Sequence, residues 1–318
     1  MFEALQLMDA TRLNFSDGGL FILNIAIAFI MFGVALEIKT GHFLELIKNP
    51  KPVILGVVSQ FVLLPFITTS LVFLLWDNLT VGVAMGMILV AACPGGNVSN
   101  FISTLAKGNA ALSVSLTAIA TIAAIIMTPL NFYIWGSIYS TYGPHADNAL
   151  LKELYIDPIA MFRIVLILLG VPILLGMLTN HFLPKLTERI KKPIWAFSVV
   201  FFVVMLVVLF TNNFEHFIKH IYWIFIIVLI HNGLALATGF SIASIFKQNT
   251  ANRRTLAIET GIQNSALGLV LIFNPSIFPE HLPTGGMAIV AAWWGIWHIV
   301  AGLSLAFFWR YRSRKSAS

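Results

Sequence analysis

Charge is scarce in this chain. Only 10% of its residues are Asp, Glu, Lys or Arg, against about 25% in soluble domains. No aspartate falls inside any long apolar run. Cysteine occurs once, at Cys93, which excludes an internal disulfide. No cleavable leader is expected, because the first 19 residues carry Glu3, Asp9, Arg12 and Asp17 and no small-residue cleavage pattern follows the first apolar run. What fills the chain is apolar: 58% of residues are hydrophobic and the mean hydropathy is +0.90. That composition excludes a soluble multidomain protein and indicates an all-α polytopic membrane protein.

A spanning helix needs about 20 mostly apolar residues. Nine spans are expected, over roughly 20–38, 52–76, 80–107, 110–138, 159–182, 193–212, 220–246, 254–274 and 285–309. Residues 1–19 form an N-terminal extracytoplasmic tail, for which a short interfacial helix and a disordered segment both remain open. Residues 310–318 form a basic cytoplasmic tail. Orientation follows from the basic residues. Lys39, Lys48, Lys51, Lys107, Lys185, Arg189, Lys191, Lys192, Lys247, Arg253, Arg254, Arg310, Arg312, Arg314 and Lys315 make 15 of 19, and all follow odd-numbered spans. The alternate loops carry Asp77, Asp147, Glu153, Asp157, Glu215 and Glu280. The rule that basic loops stay inside puts the N-terminus outside and the C-terminus in the cytoplasm. The net charge of +6 is thus a topology signal, and no nucleic-acid partner is expected.

Two polar knots interrupt the apolar spans. Cys93-Pro94-Gly95-Gly96-Asn97-Val98-Ser99-Asn100 divides the third span, and Glu259-Thr260-Gly261-Ile262-Gln263-Asn264-Ser265 divides the eighth. A charge at such depth costs about 2.5–3.5 kcal/mol on insertion scales, so Glu259 needs a partner. The knots lie five spans apart, an odd separation, so the second unit is inserted upside down relative to the first. Paired interrupted spans in inverted halves point to a transporter site. Unwinding at Pro94-Gly95-Gly96 frees carbonyls for a cation, and the half-helix beyond it turns amide N–H groups toward an anion. Oxygen donors for a hard cation lie at Gln60, Ser99, Asn100, Ser113, Thr117 and Gln263, with Ser113 and Thr117 on one helix face. Each hydroxyl taken singly is also explained by a bond to its own helix. Gln60 is the more telling, since an amide in lipid needs a partner. Gly82 and Gly86 suit close helix packing. His216 and His220 lack the order of a metalloprotease motif and carry no metal expectation.

These motifs resemble the bile acid:sodium symporter family over about Ile30 to Phe308. The resemblance is carried by Met31-Phe32-Gly33, Gln60-Phe61 with Pro65, the two knots, Leu105-Ala106-Lys107-Gly108, Leu112-Ser113-Val114 and Trp297-His298. It implies a core domain (about 52–138 and 220–309) in which the two broken helices cross, and a panel domain (about 20–38 and 159–212). It implies two sodium sites. The first would use Ser99, Asn100, Ser113, Thr117 and Glu259. The second would use Gln60, Glu259 and Gln263 with the backbone carbonyls of Thr260 and Ile262. Asn97, Asn264 and His298 become solute candidates, with a structural role equally open to Asn264 and His298. Ile299 stands where many bacterial members have asparagine, and a span that often precedes the first one here is missing. The expectation is a sodium-coupled symporter that imports an organic anion, a bile acid or a small carboxylate or sulfonate, across the inner membrane. It would act as a monomer in the lipid bilayer, with no cofactor beyond the coupling ion. A sodium-binding channel or sensor is the alternative. An intramembrane enzyme is a more distant one, as no nucleophile–base pair stands out.

Overall fold

The computed structural model describes residues 2–9, 17–36, 38, 41, 48–143, 157–212, 214–279 and 282–315. Glu37, Asp147, Glu153 and Glu280 lie outside the described residues, as do the side chains of Glu215, His216 and His220. The described residues are helical throughout, with no strand beyond one isolated bridge. Twelve helices follow in chain order: α1 (Phe2–Asp9), α2 (Asp17–Leu36), α3 (Pro50–Leu74), α4 (Val81–Ala92), α5 (Val98–Leu105), α6 (Ala110–Tyr142), α7 (Pro158–Phe182), α8 (Pro184–Asn212), α9 (Phe214–Ile245), α10 (Thr250–Gly261), α11 (Ser265–Ile272) and α12 (Gly285–Lys315). Five segments among the described residues are long and apolar enough to cross a membrane: Pro50–Leu74, Ala110–Tyr142, Pro158–Phe182, Tyr222–Ile245 and Gly285–Ser313. Their outward faces are greasy. Ile167, Val171, Leu174 and Leu175 of α7, for example, are all exposed, as expected for a surface solvated by lipid.

The third and eighth expected spans each fold as two short helices. Cys93 adopts an extended backbone (φ −73°, ψ 156°), the conformation imposed on a residue that precedes proline, and α4 stops there. No proline stands in the second interruption. There Ile262 leaves the helical region (φ −109°, ψ 94°) and Asn264 starts α11 by accepting from the Leu267 N–H (3.1 Å), an N-cap bond. α3 and α7 each carry one wide π-type turn, at Ser59–Leu63 and Leu166–Gly170.

The helices pack in two groups. α2, α7 and α8 lie against one another, and the Asn180 Nδ2 of α7 donates to the Ile38 carbonyl just past α2 (3.0 Å). α3, α4, α5, α6, α9, α10, α11 and α12 form the larger group, touched by α7 through α6, by α2 through α11 and by α8 through α9. Gly86 lets α4 approach the α12 backbone, since a Cβ there would lie 2.7 Å from the Met287 Cα.

Both ends of the α4–α5 and α12 pair meet an ionisable side chain. At the N-terminal ends, α1 buries Leu5 and Asp9 against α4, α9 and α12. Asp9 accepts from the Gly82 N–H (2.9 Å). A Cβ on Gly286 at the start of α12 would lie 1.9 Å from Asp9 Oδ1, so the carboxylate wedges between the first turns of both helices. At the opposite ends, Arg254 donates to the Ala106 carbonyl closing α5 (2.9 Å) and to Ser313 Oγ of α12 (3.0 Å). An acid at helix N-termini and a base at C-termini complement the helix dipoles. The last helix runs on to Lys315, so Arg310 and Arg312 extend it past the expected end of the span.

Gly82 isolates the Asp9 contact, because the three nearest atoms to a Cβ at position 82 all belong to Asp9, the closest at 2.4 Å. Gly82→Ala should therefore evict Asp9 and lower the melting temperature by a few degrees, in keeping with overpacking costs of about 1–3 kcal/mol. In an Asp9→Ala background the same change should cost nothing further, a coupling that a double-mutant cycle reads directly. Burial also pushes the Asp9 carboxyl up to about 6, against the pull of the Gly82 N–H. A raised acid holds its proton more tightly folded than unfolded. Its stabilising contribution is full below the ordinary carboxylate range and is lost as pH rises through about 6. Asp9→Asn, which mimics the protonated form, should flatten that part of the melting profile between about pH 4 and pH 7. An unchanged slope would show that the carboxyl is not the titrating group.

Candidate cation and solute site

The two interruptions meet. Gly95 and Gln263 form an antiparallel bridge. Gly96 N–H donates to the Ile262 carbonyl (2.9 Å), and Asn264 N–H donates to the Pro94 carbonyl (2.7 Å). Backbone groups freed by unwinding thus pair across the crossing, which is how irregular backbone survives away from water. Gly95 permits this approach: a Cβ there would lie 3.3 Å from the Glu259 carbonyl and 3.4 Å from Gln60 Nε2.

Glu259 is fully buried, at 0% exposure, one turn before the second interruption. Its Oε1 accepts from Ser99 Oγ (2.6 Å) and, at very short range, from Ser113 Oγ. Its Oε2 accepts from Thr117 Oγ1 (3.0 Å). Asn100 Oδ1 stands 3.0 Å from Ser113 Oγ and 3.1 Å from Thr117 Oγ1. Ser99, Asn100, Ser113, Thr117 and Glu259 therefore form one oxygen cluster drawn from α5, α6 and α10. Among the described residues no basic side chain pairs with this carboxylate; the ion pair found there is Lys191–Glu188, far away in α8. The cluster is short of protons. Three hydroxyls supply one proton each, yet five acceptor contacts are made. A proton on the carboxyl would serve only one of the two left over.

A second set surrounds the end of α10. Gln60, in the π-type turn of α3, donates Nε2 to the Glu259 carbonyl (3.3 Å). Gln263 donates Nε2 to the Thr260 carbonyl (2.8 Å). The amide oxygens of both, Gln60 Oε1 and Gln263 Oε1, are buried with no hydrogen-bond partner. Thr260 Oγ1 bonds Ser59 Oγ (2.7 Å). The Ile262 carbonyl already accepts from Gly96 and keeps one lone pair.

The three solute candidates do not form one cluster. Asn97 is half-buried and lines a crevice with Asn100, Thr117, Val34, Ile38, Val114 and Ala118, between α2 and the crossing. Asn264 spends its side-chain oxygen as the cap of α11. His298 is buried on α12, its Nδ1 lacks a partner, and no hydrogen bond joins it to Asn97 or Asn264 among the described residues.

Sequence reasoning missed several participants. Asn232 of α9 donates Nδ2 to the Gly261 carbonyl (2.7 Å). Its neighbour His231 bonds Thr68 Oγ1 through Nε2 (2.6 Å) and lies 4.6 Å from the Trp294 ring. The demand that a buried amide find a partner, which singles out Gln60, applies equally to Asn232. Ser59 adjoins Gln60 but offers nothing to separate it from any other helical serine.

The chain is similar to known proteins over most of its length. The model of the Sodium Bile acid symporter family matches residues 24–220. The chain is 31% identical over 296 residues to an uncharacterized sodium-dependent transporter, YocS, of Bacillus subtilis (strain 168), spanning 92% of this chain and 84% of that one. It is 29% identical over 292 residues to a probable chloroplastic sodium/metabolite cotransporter, BASS2, of Oryza sativa subsp. japonica, spanning 92% of this chain but 64% of that one. It is 27% identical over 263 residues to the ileal sodium/bile acid cotransporter of Mus musculus, spanning 82% and 71% respectively.

The site depends on the close approach of α9 to α10. A Cβ on Gly239 would fall 2.1 Å from the Leu256 carbonyl and 2.7 Å from Thr260 Oγ1. Gly233, on the same helix, has nothing within 4 Å. Gly239→Ala should destabilise the detergent-solubilised protein by about 1–3 kcal/mol or more, while Gly233→Ala should be neutral or slightly stabilising. Equal melting temperatures for the two variants would contradict this packing.

Proposed function

Because this chain belongs to the sodium bile acid symporter family, we propose that it imports an organic anion together with sodium, by alternating access. The three relatives described above are by name a sodium-dependent transporter and two sodium cotransporters, and none is named as an enzyme. The observation that carries the reading is the proton shortage around Glu259. Five oxygen contacts and three hydroxyl protons, with no base beside a buried carboxylate, make a site that a bound cation completes. Sodium is a hard cation that takes oxygen ligands, like the ions of other oxygen-rich sites. The first ion is held by Ser99, Asn100, Ser113, Thr117 and Glu259. The second is held by Gln60, Gln263 and Glu259 with the carbonyls of Thr260 and Ile262; the two unpartnered amide oxygens favour it.

The solute's anionic group is received at the crossing, where α5 and α11 both begin and present positive dipole ends. Asn97 contacts it from the crevice beside α2, whose Val34, Ile38, Val114 and Ala118 suit an apolar body. Asn264 acts by holding the α11 end, and His298 borders the path from α12. The solute is a bile acid or a small carboxylate or sulfonate. α2, α7 and α8 are the panel, the larger group is the core, and the grouping of contacts supports that division. Nine spans in two inverted sets place the N-terminus outside the cell membrane and the C-terminus in the cytoplasm. Sodium neutralises Glu259 and ties α5, α6 and α10 together, so that the loaded core rocks as a unit against the panel.

Uptake of a radiolabelled bile acid and of pantoate into proteoliposomes tests the reading. Accumulation should follow an inward sodium gradient and vanish when potassium replaces sodium. Glu259→Ala should abolish sodium dependence, because both sites share that carboxylate. Gln263→Ala should raise the half-saturating sodium concentration about tenfold, the scale of losing one supporting ligand. Non-saturating flux without sodium would favour a channel instead.

A further inference from the structure

α10 ends inside the protein, and the last carbonyls of a helix have no partners of their own. Here three consecutive carbonyls are met by three side-chain amides. Glu259 O accepts from Gln60, Thr260 O from Gln263, and Gly261 O from Asn232. Each amide leaves its own oxygen buried and without a partner: Gln60 Oε1, Gln263 Oε1 and Asn232 Oδ1. Two of the three already belong to the second ion site. The third, Asn232, comes from a different helix.

We propose that Asn232 is a positioning residue for sodium at the second site, holding the Gly261 carbonyl so that the carbonyls on either side of it, Thr260 and Ile262, are set for the ion. This rests on the sodium reading above. Glycine is the residue least able to fix its own backbone, so the peptide between the two ligand carbonyls needs an outside anchor. α9 supplies two. Asn232 hydrogen-bonds the carbonyl (2.7 Å), and Leu236, one turn on, fills the space where a Cβ would stand, 2.3 Å from its Cδ2. α9 is itself pinned at this level. His231 bonds Thr68 of α3 and packs on Trp294 of α12. Outer residues that orient ligands of an ion commonly set its affinity by 10–100-fold. Asn232 acts on sodium through the Gly261 peptide and touches neither Glu259 nor the first cluster by any hydrogen bond found among the described residues.

The test is a sodium titration of thermal unfolding of the purified full-length protein, with potassium holding ionic strength constant. Bound sodium raises stability as the logarithm of one plus its concentration over its dissociation constant, so the concentration at which the rise sets in, taken as the midpoint, reports affinity. Asn232→Ala and the volume-matched Asn232→Leu should move the sodium midpoint up about tenfold. A purely structural asparagine would lower the melting temperature in potassium and leave the midpoint in place, so a shift below about threefold in a folded variant overturns the proposal. Should neither variant fold, the side-chain amide resonance of Asn232 in the ¹⁵N-labelled wild type decides. It should move on sodium addition with the midpoint of stabilisation, and a stationary signal overturns the proposal. If the wild type gains no stability from sodium over potassium, the sodium reading fails and the role of Asn232 fails with it. That outcome is distinct from a wild type that responds beside variants that respond identically.

Discussion

A carboxylate held out of water without a base governs the centre of this molecule. Desolvating an ionised Glu259 costs several kcal/mol unless its oxygens are satisfied. Satisfaction comes from three hydroxyls on two helices, none of which carries formal charge. Neutral dipoles solvate a charge without cancelling it. The cluster therefore stays electrostatically incomplete, which suits the proposed cation site. A lysine in the same place would give a stronger and permanent pair, and no room for an ion.

The carboxylate alone does not make the crossing. Two helices stop in mid-protein, and every group freed at those stops needs a partner. The antiparallel pairing of Pro94–Gly96 with Ile262–Asn264 satisfies the backbone between the breaks. The carboxamides of Gln60, Gln263 and Asn232 satisfy the carbonyl end of α10, and Asn264 satisfies the amide end of α11. Amides suit this task because each gives a proton to a carbonyl and keeps an oxygen free. Serine at those positions would carry one proton and be consumed by it.

Much of this is legible in the residue order, for reasons that differ from element to element. The first interruption is written in Pro94-Gly95-Gly96, since proline dictates the backbone before it. The second shows only as polarity in an apolar run, because its break is held from outside, by Asn232, Leu236 and Gly96, and not by a local breaker. The oxygen cluster is readable in part: Ser113 and Thr117 share a helical face, whereas the approach of Ser99 to Glu259 joins residues 160 positions apart. Asp9 gives no signal. A single carboxylate near a chain end looks like a solvated tail residue, and only the two facing glycines, Gly82 and Gly286, reveal where it lies.

Those two glycines also bear on the stiffness of the larger group. α4 and α5 are two halves of one interrupted element, and a break in the middle would ordinarily act as a hinge. Here both outer ends lie against the same uninterrupted helix, α12: Asp9, bonded to Gly82, packs beside Gly286 at one end, and Arg254 hydrogen-bonds both elements at the other. The break is meanwhile cross-paired to the second interruption. Opening such a hinge would break the Arg254 bonds and the backbone pairing at the crossing. In the proposed function, the interruption serves as a ligand platform and relative motion falls to the seam where α2, α7 and α8 meet the larger group.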